Sequence, residues 1–361
     1  MRSPKILFFI AKGKGGAQKI SILISKMLFL CNYDVKIIFV GKEKEQDMSD
    51  LVPEGIPVEY LTIKNVWDFL TIRVFAKIKK NRPDLVFSSI MYLNIRVILA
   101  AKIYRKVKIV IRQDNMLDRV RKDWLFLVKK TYPMATIIIA QQQEMKHQMQ
   151  EKLGLKPESV VVLNNPVDYD DLIKKSSTRS PYEKYPMNIV KYVWSGNFME
   201  SGSKGQDILI KAFKIVHEKT PSAHLFLLGL YDSQSYYYKK IKNFIVENKL
   251  DYYVHILGFQ ENPYPWIKFS DCFVMPSRIE GLPNALIESM FLGKPVVASK
   301  CIPIIEEIVK DSYNGYLVEV GDFESMAKAM EKACLLHDFC TTYKAPSCLD
   351  VKKIFDRSFL C

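Results

Sequence analysis

Short apolar runs alternate along this chain with stretches whose apolar positions recur at helical spacing. Runs of strand length rich in Ile, Val, Leu and Phe are typical of buried strands, and the intervening stretches predict helices that cover them. The alternation predicts an α/β fold with doubly wound parallel sheets. In the first half, the predicted strands cover residues 5–11, 34–40, 58–63, 84–89, 107–112, 136–141 and 160–166, with helices that include 18–30, about 66–80, 119–133 and 142–153.

A polar stretch interrupts this pattern at residues 171–187, where Ser, Pro and charged residues show no sustained periodicity, as is typical of a linker. A chain of 361 residues is also long enough for two domains of about 150–200 residues. We therefore predict two Rossmann-like domains, residues 1–170 and 188–336, followed by a C-terminal segment, 337–361. The second domain has predicted strands that end near residues 195, 230, 259, 275, 298 and 320.

The stretch from 271 to 299 holds the most informative chemistry. Glu280 lies in a loop at the carboxyl end of a predicted strand, where open α/β sheets bind ligands, and Glu288 falls in the helix that follows. Pro283 suits the start of that helix, and the free N–H groups of a helix start favour an anion. Two carboxylates beside such a site indicate a ligand with hydroxyls and phosphates, as in a sugar nucleotide. The alternative is a surface helix with two solvated acids.

The string EGLPNALIESMFLGKPVV resembles the EX7E signature of the retaining GT-B glycosyltransferases, in particular glycosyltransferase family 4. The resemblance implies two Rossmann-like domains facing a central cleft, the first binding the acceptor and the second the nucleotide sugar. It implies that Glu280 contacts the donor sugar, that Glu288 contacts the ribose, and that transfer retains configuration without a bound metal. It also implies that the C-terminal segment, 337–361, crosses back to the first domain.

A glycine-rich loop, GNFMESGSKG, leads into a helix predicted from residue 206. Family members usually carry an Arg after its first Gly and a Lys before its last, whereas this chain has Asn197 and Lys204. Half of the usual diphosphate clamp is therefore missing or is supplied by another cation. We expect Lys204 and the helix amides to grip one phosphate, against the alternative of a solvated surface lysine. The other donor-binding candidates by resemblance are Gly196, Gly258, Phe259, Gly281, Leu282, Pro283 and Asn284.

The first domain offers two candidate sites on the acceptor side. Gly15 and Gly16, in the turn KGKGGAQK, could bring backbone amides against a phosphate or an acceptor, although the turn matches neither a P-loop nor a dinucleotide fingerprint. The segment RQDN ends a strand, and it places Arg112 and Asp114 where the family often carries a histidine. An N-cap or Asx-turn role is the alternative for Asp114.

Charge separates the two halves of the chain. Residues 1–165 hold 29 Lys and Arg against 15 Asp and Glu, whereas residues 166–361 hold 24 of each kind, so the whole excess of +14 lies in the first half. Aromatic and basic residues alternate in segments 66–82 and 118–132, as in helices that lie on a bilayer. Each segment alone fits a core-facing helix with a basic back equally well. Together they favour an anionic membrane surface over nucleic acid, because RNA-binding aromatics of the RNP type are absent.

Cofactors and covalent crosslinks are not expected. The seven cysteines are odd in number and show no CxxC or CxxH spacing, which favours free thiols in a reducing cytoplasm. No DxD-type cluster stands at a strand end to hold a metal, so the leaving diphosphate would depend on Lys204, helix starts and loop amides. No apolar run approaches the roughly 20 residues that span a bilayer.

The resemblance implies a retaining, metal-independent glycosyltransferase of the GT-B class. By resemblance we expect it to move a hexose or N-acetylhexosamine from a UDP-linked donor to a lipid-linked saccharide, in cell-surface polysaccharide biosynthesis on the inner face of the cytoplasmic membrane. One alternative is a GT-B UDP-sugar epimerase, which would need acid and base residues beyond Asp114 and the scattered histidines. The other is a non-catalytic protein that binds a nucleotide sugar or a polyanion.

Overall fold

The computed structural model describes residues 2–63, 70–337 and 339–360, and these form two compact units. The first unit is Met1–Val167 with Ala345–Cys361, and the second is Asp168–Lys344. The sequence predicts residues 171–187 as a linker, but the described chain there belongs to the second unit.

The described part of the first unit holds a seven-stranded parallel sheet in the order β3-β2-β1-β4-β5-β6-β7. Its strands are β1 Lys5–Ala11, β2 Asp34–Gly41, β3 Val58–Thr62, β4 Leu85–Ser89, β5 Lys108–Arg112, β6 Ile137–Ala140 and β7 Val160–Val162. Its helices are α1 Gly16–Leu30, α2 Leu70–Asn81, α3 Met91–Tyr104, α4 Lys122–Thr131, α5 Gln143–Leu153 and, from the C-terminal segment, α13 Cys348–Leu360.

Strand β1 shows why this sheet has helices on both faces. Successive side chains of a strand point to opposite faces. Leu7 and Phe9 therefore enter a hydrophobic cluster with α2, α3, α4 and α5, whereas Phe8 enters a second cluster with α1 and α13. Phe355 of α13 is fully buried, with its ring centroid 6.4 Å from that of Phe8 and 5.9 Å from that of Phe87. The C-terminal helix thus completes the core of the first unit.

The described part of the second unit holds a six-stranded parallel sheet in the order β10-β9-β8-β11-β12-β13. Its strands are β8 Val190–Ser195, β9 Ala223–Leu228, β10 Val254–Gly258, β11 Cys272–Met275, β12 Val296–Ser299 and β13 Gly315–Val318. Its helices are α6 Tyr169–Ser176, α7 Gln206–Lys219, α8 Tyr236–Glu247, α9 Tyr264–Lys268, α10 Asn284–Phe291, α11 Pro303–Ile308 and α12 Phe323–Ala333.

Both sheets follow the order of a doubly wound fold, in which the chain starts in the middle, builds outwards to one edge and then returns to build the other. The order reverses between β1 and β4 in the first unit and between β8 and β11 in the second. We call these two places the reversal points. Loops at the carboxyl ends of the strands there diverge and leave a crevice, which is where open α/β sheets bind ligands.

The predicted linker contains a short helix and a buried tyrosine, which a search for hydrophobic periodicity does not detect. Helix α6 has eight residues and buries only Leu172 and Ser176. Two buried positions are too few to show helical periodicity in the sequence. Asp168 caps it by accepting a hydrogen bond from the backbone N–H of Asp171. The following turn places Tyr182 in the core, where its hydroxyl donates to the carbonyl of Trp266 at 2.6 Å.

Two predicted helices of the first unit have different bounds in the structure. The helix predicted over 66–80 is described from Leu70 as α2, and residues 64–69 lie outside the described chain. The helix predicted over 119–133 is shorter, because 3-10 turns at Leu117–Arg119 and Tyr132–Met134 flank α4. Among the described residues, every helix is too short or too polar to cross a membrane.

Candidate active site

The reversal point of the second unit brings two loops together. Residues 196–205 follow β8 and residues 276–283 follow β11, and these strands are neighbours in the sheet. Gly205 permits the approach: its φ is +71°, and a Cβ added there would lie 2.0 Å from the carbonyl oxygen of Pro276. Only glycine tolerates both conditions. The backbone N–H of Arg278 also donates to the carbonyl of Ser203 at 2.8 Å, so the loops are joined by their main chains.

Lys204 and Glu280 meet across these loops, although they lie 76 residues apart in the sequence. The Lys204 Nζ lies 2.8 Å from each carboxylate oxygen of Glu280. The hydroxyl of Ser277 donates to Oε1 of the same carboxylate at 2.7 Å. The Glu280 side chain is only 10% exposed, so its charge is balanced by a cation and oriented by a hydroxyl rather than by bulk water.

A thiol lies near this ion pair. Cys301 follows β12, the neighbour of β11 in the sheet. Burial raises the pKa of the Cys301 thiol to about 12, and the nearby charge of Glu280 adds to the effect, whereas Lys204 opposes it. The thiol is therefore protonated at neutral pH, and it adds bulk but no charge beside the pair.

A second ion pair joins the loop after β11 to the first turn of α7. The guanidinium of Arg278 donates from Nη1 and Nη2 to the two carboxylate oxygens of Asp207, at 2.7 and 2.8 Å. The hydroxyl of Tyr237 donates to Oδ1 of Asp207 at 2.8 Å. Sequence reasoning missed all three residues. The available signal was Arg278 itself, a cation two positions before Glu280 in the string RIEG.

Asn197, at the place where the family usually has an Arg, supports the backbone. Its Oδ1 accepts a hydrogen bond from the N–H of Leu230 at 3.1 Å, and its carbonyl accepts one from Nε2 of Gln206 at 3.4 Å. Alongside, a Cβ on Gly229 would lie 1.7 Å from the carbonyl oxygen of Gly196. Asn197 and these glycines therefore hold the loops after β8 and β9 against each other.

The remaining donor-side candidates are spread along the same edge of the sheet. Glu288 lies on α10, with Oε1 3.5 Å from the hydroxyl of Tyr264. Pro283 occupies the N-cap position of α10 rather than its first turn. Gly281 and Leu282 lie in the loop before it, and Asn284 is the first helical residue. Gly258 ends β10 with φ +71°, and Phe259 follows it with an exposed ring.

In the first unit, Arg112 does not present its charge to solvent. It is 1% exposed, and its guanidinium donates to Oδ1 of Asn165. Asp114 is half-buried, and burial raises the pKa of its carboxyl while the charge of Arg112 opposes the rise. Gly15 is the N-cap of α1 and Gly16 its first residue, so both lie where the sequence places them, after β1.

A buried polar network supports the segment RQDN from below. Asn94 is fully buried: its Nδ2 donates to the carbonyl of Arg112 at 3.0 Å, and its Oδ1 accepts from the hydroxyl of Ser88 at 2.7 Å. The hydroxyl of Tyr132 donates to Oε1 of Gln113 at 2.7 Å. Each of these buried polar groups therefore has a partner, as burial requires.

Within the described chain, no cluster of three or more His, Cys, Asp or Glu is placed to hold a metal ion. The cysteines described there are free thiols. The charged groups that meet at the second reversal point are therefore the candidate chemistry of this protein.

Solved structures define the class of fold. Anabaena Alr3699/HepE in complex with UDP and glucose superposes with a TM-score of 0.78 over 99% of both chains, at 20% identity. Sucrose-phosphate synthase from Thermosynechococcus elongatus superposes with a TM-score of 0.73 over 99% of both chains, at 14% identity. The chain has the GT-B fold of these glycosyltransferases.

Family models then match each unit separately. The model described as Glycosyltransferase Family 4 matches residues 15–171, and the one described as Glycosyl transferases group 1 matches residues 190–335. Together they cover most of both units, and this chain belongs to glycosyltransferase family 4. The fold class and the family predicted from the string EGLPNALIESMFLGKPVV are both confirmed.

Relatives in the curated proteins agree with this assignment. An uncharacterized glycosyltransferase of Haemophilus influenzae is 23% identical over 91% of this chain and 89% of its own length. A Campylobacter jejuni N-acetylgalactosamine-N,N'-diacetylbacillosaminyl-diphospho-undecaprenol 4-alpha-N-acetylgalactosaminyltransferase is 23% identical over 90% of this chain and 88% of its own. The uncharacterized glycosyltransferase MJ1059 of Methanocaldococcus jannaschii is 32% identical, but the match spans 64% of this chain and 59% of that relative.

Proposed function

We propose that this protein is a retaining, metal-independent hexosyltransferase. It moves a hexose or N-acetylhexosamine from a UDP-sugar to a lipid-linked saccharide during assembly of a cell-surface polysaccharide. The observation that carries the proposal is the juxtaposition of Lys204 and Glu280 at the second reversal point, with Nζ 2.8 Å from both carboxylate oxygens. One group suits a diphosphate and the other suits sugar hydroxyls, and both follow strands at a reversal point, where open α/β sheets bind ligands.

In this proposal the ion pair opens when the donor binds. Lys204 turns to the diphosphate, which is also met by the backbone amides at the start of α7. Glu280 is left to accept hydrogen bonds from the sugar hydroxyls, and Ser277 keeps its carboxylate oriented. With no cation at Asn197, Lys204 carries the larger share of the stabilisation of the leaving group.

The transfer step exchanges one bond for another at the anomeric carbon. The bond from that carbon to the β-phosphate oxygen breaks, and a bond to the acceptor hydroxyl oxygen forms on the same face of the sugar. The proton of the acceptor hydroxyl passes to the departing phosphate oxygen, so UDP leaves and configuration is retained. Lys204 offsets the negative charge that develops on the phosphate, and Glu280 orients the sugar without attacking it.

The names of relatives support the donor and acceptor classes. The Campylobacter jejuni relative is named for transferring N-acetylgalactosamine to a saccharide on diphospho-undecaprenol, and HepE was solved with UDP-glucose. Relatives with shorter matches are named for capsular polysaccharide biosynthesis in Staphylococcus aureus and for lipopolysaccharide core biosynthesis in Rhizobium meliloti. These names favour a UDP-linked donor and an acceptor on a lipid carrier.

A lipid-linked acceptor would place the first unit against the inner face of the cytoplasmic membrane. Helix α4 supports this, because Phe126 is 61% exposed and Leu127 is also exposed, while Lys129 and Lys130 follow in its last turn. Helix α2 likewise exposes Ile72 among basic residues. Apolar side chains flanked by lysines suit the interface of an anionic bilayer.

The donor proposal is tested by incubating the purified protein with UDP- and GDP-sugars in the presence of EDTA. We expect binding and slow hydrolysis of one UDP-sugar. Hydrolysis should be lost in Glu280→Ala, and both binding and hydrolysis should be weakened in Lys204→Ala. Two exposed residues of the same unit give matched controls, Glu307→Ala and Lys328→Ala, which should behave as wild type. Loss of activity with EDTA would refute metal independence. Binding without any turnover, even with lipid-linked acceptors, would favour a non-catalytic role.

The membrane proposal is tested by cosedimentation with liposomes that contain or lack anionic lipid, at low salt. We expect binding to the anionic vesicles only, reduced several-fold by the double substitution Phe126→Ser and Leu127→Ser. Leu335→Ser in the second unit removes an even more exposed apolar side chain and serves as the control. Equal binding to neutral vesicles, or none to anionic ones, would refute it.

A further inference from the structure

Arg278 makes more contacts with the loop after β8 than a surface ion pair requires. Nη1 donates to Oδ1 of Asp207 at 2.7 Å and to the carbonyl of Gly202 at 2.8 Å, and Nη2 donates to Oδ2 of Asp207 at 2.8 Å. Its own backbone N–H donates to the carbonyl of Ser203 at 2.8 Å. One residue thus holds Gly202, Ser203 and the first turn of α7 together.

Asp207 is itself fixed from a third element. The hydroxyl of Tyr237, on α8, donates to Oδ1 of Asp207 and accepts a hydrogen bond from the Asp207 backbone N–H at 3.2 Å. Burial acts to raise the pKa of Asp207, but the hydrogen bonds from Arg278 and Tyr237 outweigh it and leave the pKa below its ordinary value. The carboxylate is therefore charged, doubly oriented and available to Arg278 at neutral pH.

The position of this ion pair in the chain gives its consequence. Arg278 stands two residues before Glu280, and Ser203 and Gly202 stand immediately before Lys204. A displacement of either loop relative to the other would separate Lys204 from Glu280. A planar guanidinium with two parallel bonds resists such sliding far better than a single-point ammonium contact.

We propose that the Arg278–Asp207 pair, braced by Tyr237, is the positioning device that sets Lys204 against Glu280 for donor binding and transfer. The inference rests on the proposed function of that site. In this proposal the guanidinium of Arg278 pairs with Asp207. It therefore does not replace the arginine that the family usually carries at position 197.

The rival assignment is that Arg278 binds the donor diphosphate itself, and the two assignments predict opposite results for Asp207→Asn. A positioning device fails when its carboxylate is neutralised, so UDP binding weakens. If Arg278 instead binds the diphosphate, Asp207→Asn removes the carboxylate that competes for its guanidinium, so UDP binding strengthens.

The experiment measures UDP binding by calorimetry and transfer kinetics for Arg278→Gln, Asp207→Asn and the double variant. We expect each single change to weaken UDP binding and to lower kcat, with kcat/KM reduced about 10- to 100-fold by loss of alignment. The double variant should be no worse than either single variant, because both disable one device. Arg278→Lys should not restore activity, since it keeps the charge but loses the paired geometry. Arg179→Gln, an exposed arginine paired with Glu183, is the control.

Hydrogen exchange gives a readout that needs no turnover. In Arg278→Gln and Asp207→Asn, exchange should rise in both loops, 196–205 and 276–283, and remain unchanged in the first unit. If the wild-type protein bound no donor, the proposed function would fail while this loop result could still stand. Tighter UDP binding by Asp207→Asn, additive losses in the double variant, or unchanged exchange in both loops would each overturn the positioning role.

Discussion

In the second unit, the two strands at the reversal point lead into segments that carry two ion pairs, whereas in the first unit a strand end and a helix meet there through two hydroxyls. At the end of β4, the hydroxyl of Ser89 lies 2.7 Å from that of Ser21 on α1. The next residue, Ile90, has φ +75°, an uncommon and costly conformation for a β-branched side chain. At the second reversal point, glycine takes the strained positions and charged side chains occupy the crevice.

Two sheets with one strand order therefore carry different chemistry at the same topological place. The order of strands creates a crevice in each unit, and the residues of the loops decide what that crevice can bind. The second crevice holds fixed charges of both signs, which suits a donor that contains a diphosphate and hydroxyls. In the first unit, Lys12 in the loop after β1 donates to the carbonyl of Lys42, and Arg112, at the end of β5, is buried with Asn165 as a partner.

The largest effect is expected from Glu280→Gln. We expect kcat for transfer to fall about 1,000-fold, because the amide cannot replace the carboxylate as acceptor of sugar hydroxyls. UDP binding should hold or strengthen, since Lys204 loses its internal competitor. Calorimetry with UDP and a transfer assay separate the two effects.

The matched change in the first unit is Asp114→Asn, which should leave UDP binding as in wild type. A loss of UDP binding in Asp114→Asn, or in Glu280→Gln to the same extent as activity, would break the assignment of donor chemistry to the second reversal point.

The next effect concerns glycine. Gly205 and Gly293 have nearly equal φ, +71° and +69°, but a Cβ on Gly205 would lie 2.0 Å from the carbonyl oxygen of Pro276, while a Cβ on Gly293 would meet nothing within 4 Å. Gly293→Ala should lower the free energy of unfolding by about 1 kcal/mol, the cost of the left-handed conformation. Gly205→Ala should lower it by about 3 kcal/mol and weaken UDP binding.

Chemical denaturation of both glycine variants measures the difference directly. The excess loss in Gly205→Ala reports the close approach of the two loops, since the backbone conformation is common to both sites. Equal losses would mean that the loops after β8 and β11 are not held together as the structure shows.

Sequence reasoning captured the parts of this protein that local pattern encodes. Alternating apolar runs specified the parallel sheets, because strands buried on both faces must be apolar along their length. The string around Glu280 and the glycines around Lys204 predict the donor side, which stays a prediction. Local strings cannot show which residues pair at long range. Arg278 and Asp207 are 71 residues apart, and only the adjacency of β8 and β11 brings them together.

The burial of Arg112 was the other feature that the sequence could not predict. A strand-end arginine in the segment RQDN predicts a side chain aimed at a site, yet Arg112 is buried with Asn165 as a partner, 53 residues away. The cost of burying a guanidinium depends on partners that the fold supplies, so residue type alone does not determine its exposure.

A smaller effect is expected from Asn94→Leu in the first unit. The substitution removes the acceptor of the Ser88 hydroxyl and the donor to the Arg112 carbonyl, leaving buried groups without partners. We expect the free energy of unfolding to fall by about 2 kcal/mol. UDP binding should not change, because the proposed donor site lies in the other unit. Gln143→Leu, at an exposed position of α5, is the control. An effect of Asn94→Leu on UDP affinity would contradict the prediction, because it would show that the first unit contributes to UDP binding.

The smallest effect concerns acid, which should act first on the second unit. Nδ1 of His224 and Nε2 of His255 lie 2.9 Å apart in the second unit, and burial, with help from His224 and Lys184, lowers the pKa of His255 to about 4. As the pH falls from 6.5 towards 4, the unfolded chain gains a proton that folded His255 does not accept, so stability falls across that window. The ring is partly exposed, so we expect a loss of about 1 kcal/mol rather than the full shift.

The test is the pH dependence of stability in His255→Phe, which keeps an aromatic ring beside Tyr185 and Phe226. The decline between pH 6.5 and 4 should become shallower, and hydrogen exchange should assign the change to the second unit. His147→Gln, which changes the one histidine of the first unit at an exposed position, should leave the decline as it is. If acid instead loosened the first unit first, the His224–His255 pair would not be the group that limits stability at low pH. The prediction that acid acts first on the second unit would then be wrong.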